Sequence, residues 1–510
     1  MKIRKVNKLN YILDAKQMKA VDINSIDNTG IPSIVLMERA ALSVSDYIKK
    51  DIIKRGMADT DVSVICVCGK GNNGADGLAA ARQLFLSGIR TCIYEIGDKE
   101  GTEEYIQQRK IVKNLGMEFI SSLEDTKYDY IVDAIFGIGL SRAVEGKYAG
   151  LIEQINKITD NTRTKVVSVD IPSGIDASCG KVKNVAVRAA VTITFGYAKL
   201  GQILYPGTEY CGELIVTDIG FAPVSQEDKE KYAFTFTEDD IKCINDRKAD
   251  GNKGTFGKVL IVAGSKTMGG AAMLSAKSTY RTGSGLVKVC THEINRQSVL
   301  SYVPESLIST YNDNTVHEEL DKCLEWASVV AAGPGISTDD NAQNITVSVM
   351  NSDVPVKIFD ADALNVIAKH NIEYNVNEHS NIIITPHIGE MSRLTGITID
   401  EIKQNIIECA RNYAATHKVI CVLKDARTIV TDGEKVYINT SGNDGMATGG
   451  SGDVLTGIIA GLAAQKNEPF KSACFGVYLH GRAGDMAALQ YGRHGMLSGD
   501  IIDFIGNVLK

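Results

Sequence analysis

Short apolar runs typical of buried β-strands alternate with longer helix-like segments along most of this chain. In the first half, such runs predict six strands, at Val62–Cys68, Arg90–Ile96, Tyr130–Ala134, Lys165–Val169, Val191–Phe195 and Leu214–Thr217. Parallel strands need long crossover connections, usually helices, whereas antiparallel strands can be joined by short turns. The alternation therefore favours an α/β fold with a doubly wound, parallel sheet.

The alternation stops at residues 223–231, a charged stretch with few apolar residues, and then restarts. Five more strands are predicted, at Lys258–Ala263, Ser328–Ala332, Val356–Phe359, Ile382–Thr385 and Val419–Leu423. An antiparallel hairpin follows, with strands at Thr428–Thr431 and Lys435–Ile438 and a turn at Asp432-Gly433, a strong hairpin signal. The second half is therefore predicted to be an α/β domain as well.

A chain of 510 residues is long enough for several domains with separate cores, and we predict two, at residues 1–223 and 234–510, without an internal repeat. A net charge of −7 argues against a nucleic-acid binder and against attachment to an anionic membrane. The amino terminus lacks the apolar stretch of a signal peptide, and the longest apolar run, Val454–Ala464, is too short to span a bilayer. Eleven cysteines, mostly inside apolar runs, indicate buried reduced thiols, so we expect a cytoplasmic protein.

A glycine-rich segment, residues 68–77, directly follows the first predicted strand and precedes a predicted helix at Leu78–Leu86. Backbone N–H groups at such a strand-to-helix turn suit a phosphate. The spacing is neither the dinucleotide fingerprint nor a Walker loop, so a plain tight turn is the alternative. The polar side chains of Asn72, Asn73 and Asp76, crowded into one turn, favour a ligand or cation site.

Two more loops follow predicted strands, at residues 133–142 and 170–176. Ligands of open parallel sheets bind at the carboxyl ends of the strands, so we expect Asp76, Asp133 and Asp170 to converge on one crevice. Each aspartate alone could instead be a helix cap. No histidine precedes residue 292, so acid–base chemistry in this half must use carboxylates, lysines, tyrosines or water.

Three motifs of the first half, GKGNNGADG, DAIFGIGLSRAVEG and SVDIPSGIDASCG, resemble the Rossmann-like NAD(P)H-hydrate epimerase domain from about Asp14 to Ala222. The resemblance implies that Asp170 is catalytic and faces the reacting ring. It also implies a potassium ion held by Asn73, Asp133 and Ser173 together with backbone carbonyls. The implied contacts with the hydrated nucleotide are Asn72, Asn73, Gly74, Ala75, Asp76, Gly137, Ile138, Gly139, Leu140, Ser141, Arg142, Ala143 and Asp170. Ile138 stands where this family often has threonine.

The densest glycine motif of the second half is residues 442–453, directly before the helical run Val454–Ala464. Its last five residues, Gly-Gly-Ser-Gly-Asp, offer several N–H groups to one anion at a helix start. Asp453 is placed to act as a base toward a hydroxyl that attacks a phosphoryl group, although a helix cap is the alternative. The arrangement resembles the phosphoryl-transfer motif of ribokinase-like kinases.

Together, KGTFGKVLIVAGS, GPG, DADALN, TPHIGE, KDART and GMATGGSGDVLTG resemble the ribokinase-like ADP- or ATP-dependent NAD(P)H-hydrate dehydratase domain from about Phe234 to Lys510. The implied contacts with the hydrate are Ala272, Gly335, His387 and Asp453, the last being catalytic. Those with the adenine nucleotide are Lys424, Asp425, Ala426, Arg427, Thr428 and Gly452. Asp425 replaces a glycine usual in the family, and Asp444 stands where proline is common. Magnesium is expected to accompany the nucleotide.

Both resemblances concern the same metabolite and imply a bifunctional repair enzyme for hydrated NADH and NADPH. The first domain would interconvert the R and S hydrates. The second would phosphorylate the S hydrate with ADP or ATP, after which phosphate leaves and NAD(P)H is restored. We also expect a homo-oligomer. The alternatives are a ribokinase-like small-molecule kinase fused to an accessory domain, and a first domain that binds without catalysis. The missing dinucleotide fingerprint argues against a nicotinamide dehydrogenase.

Overall fold

The computed structural model describes residues 10–98, 100–123, 128–244, 249–376 and 381–510. It forms two compact units that divide between Tyr232 and Ala233, unit 1 and unit 2. Within the described residues, no helix combines the length and apolarity needed to cross a membrane. Ten cysteine side chains are described; all are free thiols and eight of them are buried, while that of Cys243 lies outside the described part.

Unit 1 is an α/β unit built on a parallel sheet. Its strands are β1 (Asn10–Leu13), β2 (Ser63–Cys68), β3 (Arg90–Glu95), β4 (Glu118–Ile120), β5 (Tyr130–Ala134), β6 (Lys165–Val169), β7 (Val191–Phe195), β8 (Ala198–Lys199) and β9 (Glu213–Thr217). Its helices are α1 (Ala15–Ile23), α2 (Ser33–Lys54), α3 (Asn72–Leu86), α4 (Glu103–Asn114), α5 (Gly146–Asn161), α6 (Leu200–Ile203) and α7 (Gln226–Glu230).

Seven of these strands form one sheet in the order β4-β3-β2-β5-β6-β7-β9, with every neighbouring pair parallel. β1 and β8 pair separately, also in parallel. From β2, the chain adds β3 and β4 on one side of the sheet, and it then adds β5, β6, β7 and β9 on the other side. The carboxyl ends of β2 and β5 therefore form the switch point at which such sheets bind ligands.

Unit 2 begins with β10 (Ala233–Thr235). Its other strands are β11 (Lys258–Val262), β12 (Leu286–His292), β13 (Leu307–Tyr311), β14 (Val329–Ala332), β15 (Val356–Phe359), β16 (Asn381–Ile384), β17 (Ile420–Leu423), β18 (Ile429–Thr431) and β19 (Val436–Ile438). Its helices are α8 (Gly269–Arg281), α9 (Arg296–Tyr302), α10 (Val316–Leu324), α11 (Asp340–Asn351), α12 (Asp362–His370), α13 (Ile388–Thr395), α14 (Ile399–Gln404), α15 (Ile406–His417), α16 (Ser451–Ala464), α17 (Pro469–Tyr491) and α18 (Ser498–Val508).

The strands of unit 2 lie in the order β13-β12-β11-β14-β15-β16-β17-β18-β19-β10. The pairs from β13 to β17 are parallel, and β17, β18 and β19 form antiparallel pairs, which confirms the predicted hairpin. The strand order reverses between β11 and β14, so this sheet has its own switch point. The predicted doubly wound α/β fold is confirmed.

Helix α16 lies against α8 with little space between the two backbones. A Cβ built on Gly457 would lie 2.0 Å from Ser278 Oγ and 2.3 Å from the carbonyl oxygen of Ser275. Only glycine fits there, because any side chain would force the helices apart. Nearly every residue of α16 is buried, and Ser275 Oγ donates to the carbonyl oxygen of Asp453 at 3.1 Å. This packing fixes the start of α16 relative to the sheet.

Candidate active sites

In unit 1, the turn formed by the glycine-rich segment is shorter than the sequence predicts. Helix α3 begins at Asn72, not at Leu78, so only residues 69–71 form the turn after β2. A Cβ built on Gly74 would lie 1.7 Å from the carbonyl oxygen of Gly69, so the helix start folds tightly back over the turn. The polar residues from Asn72 to Asp76 accordingly lie on the first turns of a helix that starts at the switch point.

The three predicted potassium ligands lie together beneath the loop after β5. The fully buried Asp133 carboxylate accepts hydrogen bonds from Ser173 Oγ at 2.6 Å, Ser173 N at 2.9 Å and Ser168 Oγ at 2.7 Å. Asn73 Nδ2 donates to the carbonyl oxygen of Phe136 at 3.0 Å, and Ser173 Oγ lies 3.4 Å from the same oxygen. Burial raises the pKa of Asp133, and the hydrogen bonds from both serines only partly oppose this.

These donors suit a hard, weakly charged cation. They comprise one carboxylate, a hydroxyl, an amide oxygen and a main-chain carbonyl, and hard cations prefer oxygen ligands. Among the described residues, no group of three or more His, Cys, Asp and Glu side chains is arranged to hold a metal ion. Apart from the Asp133 carboxylate, the oxygens of this site are neutral, which suits a singly charged cation such as potassium.

Asp170, the predicted catalytic residue of unit 1, has an unusual backbone and a buried partner. Its φ of +62° lies in the left-handed region that residues other than glycine seldom adopt. Lys199 Nζ donates to Asp170 Oδ1 at 2.5 Å and to Thr194 Oγ1 at 2.7 Å, and the Lys199 side chain is only 1% exposed. Gln202 Nε2 donates to the Asp170 carbonyl oxygen at 2.6 Å. These contacts hold the strained backbone in place, as is typical of functional sites.

Two further carboxyl groups influence this pair. Burial, reinforced by repulsion from Asp170 and opposed by attraction to Lys199, raises the pKa of Asp22 on α1 to about 6. Burial also raises the pKa of Asp76, with repulsion from Asp170 and Asp22 adding to the effect. The carboxyl groups of Asp22, Asp76 and Asp170 therefore lie close enough to repel one another, and a proton can reside on this cluster near neutral pH. Of these residues, sequence reasoning missed Asp22 and Lys199.

The remaining predicted contacts of unit 1 lie in the loop between β5 and α5. Gly137 lies against α3, since a Cβ built there would be 3.2 Å from Asn73 Cβ. Ile138 packs against two small apolar clusters, so it fills space inside the unit at the position where threonine is usual. Gly139 and residues 141–143 are exposed, and Leu140 is half-buried. The structure thus brings Gly137 next to the potassium ligands and leaves the tip of the loop open to solvent.

In unit 2, the predicted base lies on the first turn of α16. The helix begins at Ser451, three residues before the predicted start, and Gly450 precedes it with a φ of +89°. Gly449 and Gly450 therefore form the turn, whereas Asp453 is already helical. Burial raises the pKa of Asp453 to about 6, with repulsion from Asp360 adding to the shift and Lys424 opposing it.

A buried ion pair lies beside this helix start. Lys424 Nζ donates to Asp360 Oδ1 at 2.7 Å, and Thr456 Oγ1 donates to Asp360 Oδ2 at 2.6 Å. A Cβ built on Gly452 would be 3.5 Å from Lys424 Nζ and 3.9 Å from Asp360 Oδ2. Burial disfavours the Lys424 ammonium, but the charges of Asp360 and Glu390 outweigh it and raise its pKa. Sequence reasoning did not select Asp360, although it opens the DADALN motif after β15.

The other residues of the KDART motif lie apart from this pair. Asp425 and Ala426 are exposed in the turn between β17 and β18, while Arg427 is buried and Thr428 is half-buried. The structure therefore brings together Lys424, Gly452 and Asp453 at the helix start. It leaves Asp425, which replaces the usual glycine, at the surface.

His387 caps helix α13. Its Nδ1 accepts hydrogen bonds from Gly389 N at 2.9 Å and Glu390 N at 3.2 Å, and Glu390 Oε2 accepts one from His387 N at 2.8 Å. Burial lowers the pKa of His387, and the Lys424 charge lowers it further. The imidazole is therefore neutral with its proton on Nε2, which lies 3.3 Å from Glu390 Oε1. The Glu390 carboxyl is almost fully buried, and burial raises its pKa to about 7.

Ala272 and Gly335 line the switch point of unit 2. Ala272 is fully buried on α8, with its Cβ 3.2 Å from the position of a Cβ on Gly264, directly after β11. Gly335 follows β14 with a φ of +62°, and a Cβ there would be 2.9 Å from Met268 Cβ. Both residues keep this end of the sheet free of bulk. They lie at the same carboxyl edge as the strands that lead to Asp360 and His387.

Comparison with known proteins covers both units. The sequence profile of the YjeF-related protein N-terminus matches residues 33–201, and that of NAD(P)H-hydrate dehydratase matches residues 259–507. A ribokinase-like superfamily protein from Enterococcus faecalis is 30% identical, covering 54% of this chain and 94% of its own, with a TM-score of 0.49. ADP/ATP-dependent NAD(P)H-hydrate dehydratase from Bacillus subtilis, co-crystallised with ATP and Mg²⁺, is 29% identical, covering 53% and 96%, with a TM-score of 0.48.

Full-length relatives carry both halves. The bifunctional NAD(P)H-hydrate repair enzyme Nnr of Moorella thermoacetica is 36% identical over 98% of this chain and 97% of its own length. The enzyme of the same name from Escherichia coli is 33% identical over 88% of this chain and 85% of its own. Identity at this level across both units confirms the predicted family and shows that the chain belongs to the bifunctional NAD(P)H-hydrate repair enzymes.

Proposed function

We propose that unit 1 epimerises the R and S hydrates of NADH and NADPH and that unit 2 dehydrates the S hydrate with ADP or ATP. The observation that supports this division most directly is that each unit has its own buried acid–base cluster at the carboxyl edge of its own sheet. Asp170 with Lys199 forms the first cluster, and Asp453 with Lys424 and Asp360 forms the second. The domain limits remain those predicted, residues 1–223 and 234–510.

In unit 2, Asp453 takes the proton of the substrate hydroxyl as its oxygen attacks the terminal phosphorus of the nucleotide. The new P–O bond forms as the bond to the departing nucleotide breaks. The N–H groups at the start of α16 and the Lys424 ammonium stabilise the charge on the transferred group. Phosphate then leaves with the hydroxyl oxygen, assisted by the ring nitrogen lone pair. Loss of a proton from the adjacent ring carbon restores the double bond of NAD(P)H.

Magnesium is expected with the nucleotide, and the acidic residues here fit it. Magnesium in phosphoryl-transfer sites is usually held by one or two carboxylates, substrate phosphates and water. Asp360 is engaged with Lys424 and Thr456, and one oxygen of Glu390 accepts from His387 N, so the ion would be held by the remaining Glu390 oxygen or by Asp453, together with phosphates and water. When bound, it neutralises phosphate charge. The nucleotide itself would contact Lys424, Asp425, Ala426, Arg427, Thr428 and Gly452, and the hydrate would contact Ala272, Gly335, His387 and Asp453.

In unit 1, the hydroxyl-bearing carbon beside the ring nitrogen is inverted by loss and return of water or by ring opening. Either route needs a group that accepts a proton and returns it. Asp170 is our proposed group, held against Lys199, while Asp22 and Asp76 can carry the proton nearby. Potassium would be held by Asn73, Asp133, Ser173 and the carbonyl of Phe136, where it supplies positive charge toward the anionic nucleotide. A cytoplasmic homo-oligomer that binds no nucleic acid remains a prediction.

The test uses a mixture of both epimers of NADH hydrate with the full chain. Without nucleotide, the protein should bring a purified single epimer to the equilibrium mixture faster than buffer does, as measured by chromatography. With magnesium and ADP or ATP, the absorbance of reduced nicotinamide should recover fully, because the R epimer is converted as the S epimer is consumed. Recovery that stops at the S fraction would contradict the role of unit 1. Absence of recovery, together with phosphorylation of sugars or pyrimidine alcohols, would contradict that of unit 2.

A further inference from the structure

We propose that two side chains of α17, His480 and Asp485, are positioning residues for the turn that binds the transferred phosphoryl group. The inference rests on the dehydratase function proposed for unit 2. Neither residue is among the expected substrate or nucleotide contacts. Both act through the residues that lead into Asp453, from a helix that packs against α16.

The phosphoryl-binding turn, defined here as residues 442–451, cannot hold its shape alone. The segment from Gly442 to Asp453 contains five glycines, and Gly442 and Gly450 have φ values of +97° and +89°. Glycine has more backbone freedom than any other residue. Electrostatic stabilisation of a transferred group requires donors that are aimed before the reaction begins. The order of this turn must therefore come from contacts outside it.

Asp485 holds the first part of the turn. Its Oδ2 accepts a hydrogen bond from Gly442 N at 3.1 Å, and its Oδ1 accepts one from Asn443 Nδ2 at 3.0 Å. Asn443 Nδ2 also donates to the carbonyl oxygen of Gly484 at 3.1 Å, and Asn443 Oδ1 accepts from Gly445 N at 3.0 Å. The Asp485 carboxylate thus fixes both the first residue of the turn, Gly442, and the side chain of Asn443, which in turn accepts a hydrogen bond from Gly445 N.

His480 holds the last part. Its Nε2 lies 3.3 Å from Ser451 Oγ, and both residues are 8% exposed. Ser451 is the first residue of α16 and directly precedes Gly452 and Asp453. Burial lowers the pKa of His480 to about 4, so the imidazole is neutral near pH 7. It can fix the helix start by hydrogen bonding without placing another charge beside the phosphoryl group.

The surface of α17 is shaped to receive this turn. His480, Gly481, Gly484 and Asp485 are spaced so that they share one face of the helix. A Cβ on Gly481 would lie 2.2 Å from Ser441 Oγ, and one on Gly484 would lie 2.3 Å from Met446 Sδ. Glycine at these two positions lets the turn lie directly on the helix, between the two polar side chains that hold its ends.

The test measures kcat and KM for nucleotide-dependent dehydration in His480→Ala. We expect kcat to fall about 10- to 100-fold, because small displacements of catalytic groups have effects of this size. The KM for the nucleotide should change much less, since the donors matter most in the transition state. His480→Gln, whose side-chain amide reaches the position of Nε2 and can still hydrogen-bond Ser451, should recover part of the loss. Asp485→Ala should lower kcat in the same way.

A double-mutant cycle with Ser451→Ala separates positioning from general destabilisation. Both substitutions remove the same hydrogen bond, so the double variant should lose little more kcat than the worse single variant. Cys474→Ala is the matched control, a small buried change on the sheet-facing side of α17 that should lower stability without altering kcat. If His480→Ala does not fold, Ser451→Ala and Asp485→Ala provide the same kcat measurement.

A wild-type kcat in these variants would overturn the inference. A decrease in kcat that is fully explained by a smaller fraction of folded protein would also overturn it. Fully additive losses in the cycle would also overturn it. Epimerisation by unit 1, measured on the same preparation, should stay at the wild-type rate. The proposed function fails differently, because then the wild-type protein itself shows no nucleotide-dependent dehydration.

Discussion

Asp170 in unit 1 and Asp453 in unit 2 are the proposed catalytic carboxylates of two doubly wound domains, yet their charges are balanced in different ways. Asp170 has a buried ammonium at 2.5 Å. Asp453 has none in direct contact among the described residues, because the nearby Lys424 ammonium is bound to Asp360. A direct partner favours the ionised carboxylate, whereas burial without one favours the protonated form. The same type of crevice therefore provides one carboxylate matched to a fixed cation and another that titrates near pH 6.

The two residues also differ in what holds their backbones. Asp170 has a left-handed φ and is fixed by side chains from several elements, among them Lys199 and Gln202. Asp453 is in regular helical geometry and takes its position from α16, whose start depends on glycines and on contacts from neighbouring helices. We therefore expect substitutions at the first site to affect stability and catalysis together. At the second site, catalysis should change with little effect on folding.

The largest expected effect is that of Asp453→Asn, which keeps the shape of the side chain but removes its basicity. Loss of one general base typically lowers the rate by about 10²- to 10⁴-fold. We expect near-complete loss of dehydration, little change in nucleotide binding and an unaltered epimerase rate in the same preparation. Calorimetric titration with the nucleotide and both activity assays measure this. Dehydration near the wild-type rate would show that Asp453 is only part of the helix start.

Lys199→Met should have the second largest effect, and it tests the role of the ion pair in unit 1. It leaves Asp170 without its cation, and removing one partner of a buried ion pair typically costs about 3–5 kcal/mol of stability. We expect loss of epimerisation together with a lower free energy of unfolding of unit 1, measured by denaturant titration. Dehydration of purified S hydrate should be retained wherever unit 2 stays folded.

Lys165→Met is the matched control for this substitution. Lys165 pairs with Asp51 at 3.0 Å at the amino end of β6, the strand that ends immediately before Asp170. Loss of this pair should also destabilise unit 1, but the folded protein should keep its epimerase activity. Equal losses of epimerase activity per folded molecule in both variants would show that Lys199 has only a structural role.

Much of the fold can be predicted from the sequence, because buried parallel strands are continuous apolar runs. The predicted strands that begin at Tyr130, Lys165, Val191 and Val356 match the structure at both ends, and the other predicted strands agree within one residue at each end. The missed strands are β1, β4, β8, β10, β12 and β13. β4 and β13 lie at sheet edges, where half-exposed residues interrupt the apolar run, whereas β12 lies inside the sheet but its run is interrupted by Lys288 and Thr291. Local composition cannot separate such strands from loops.

The starts of the helices and the partners of the proposed catalytic residues are harder to predict. The glycines and asparagines that open α3 are poor helix formers, and the helix begins among them because tertiary contacts override propensity. Lys199 lies 29 residues from Asp170, and Thr456 lies 96 residues from Asp360. No spacing rule connects residues so far apart. Only the folded sheet brings together the end of one strand and the start of a distant helix.

The two activities should depend on pH in different ways. Asp453 must be ionised to accept a proton, and its pKa is about 6. The kcat/KM of dehydration should therefore fall as the pH drops below about 6, by roughly tenfold per pH unit. In unit 1, the pKa of Asp22 is also about 6, but Asp22 is proposed to act in its protonated form, as a carrier of the proton. Epimerisation above the spontaneous rate should therefore weaken in part as the pH rises through about 6, because Asp76, whose pKa is also raised by burial, can still carry the proton. Parallel profiles for the two activities would contradict these opposite roles.

The smallest expected effect is a shift of the acidic limb of dehydration in Asp360→Asn. Burial is the main cause of the raised pKa of Asp453, and repulsion from Asp360 comes next. Removing that negative charge, and with it the acceptor that holds Lys424 away, should lower the pKa of Asp453 by about half a unit to one unit. The limb of kcat/KM should move to lower pH by the same amount, as measured from pH 4.5 to about 8. Asp362→Asn is the matched control, because Asp362 also repels Asp453 but less strongly, so its limb should move less. If the acidic limb stays in place in Asp360→Asn, burial alone sets the protonation of Asp453. The difference between Asp453 and the ion-paired Asp170 would then come from solvation and not from neighbouring charges.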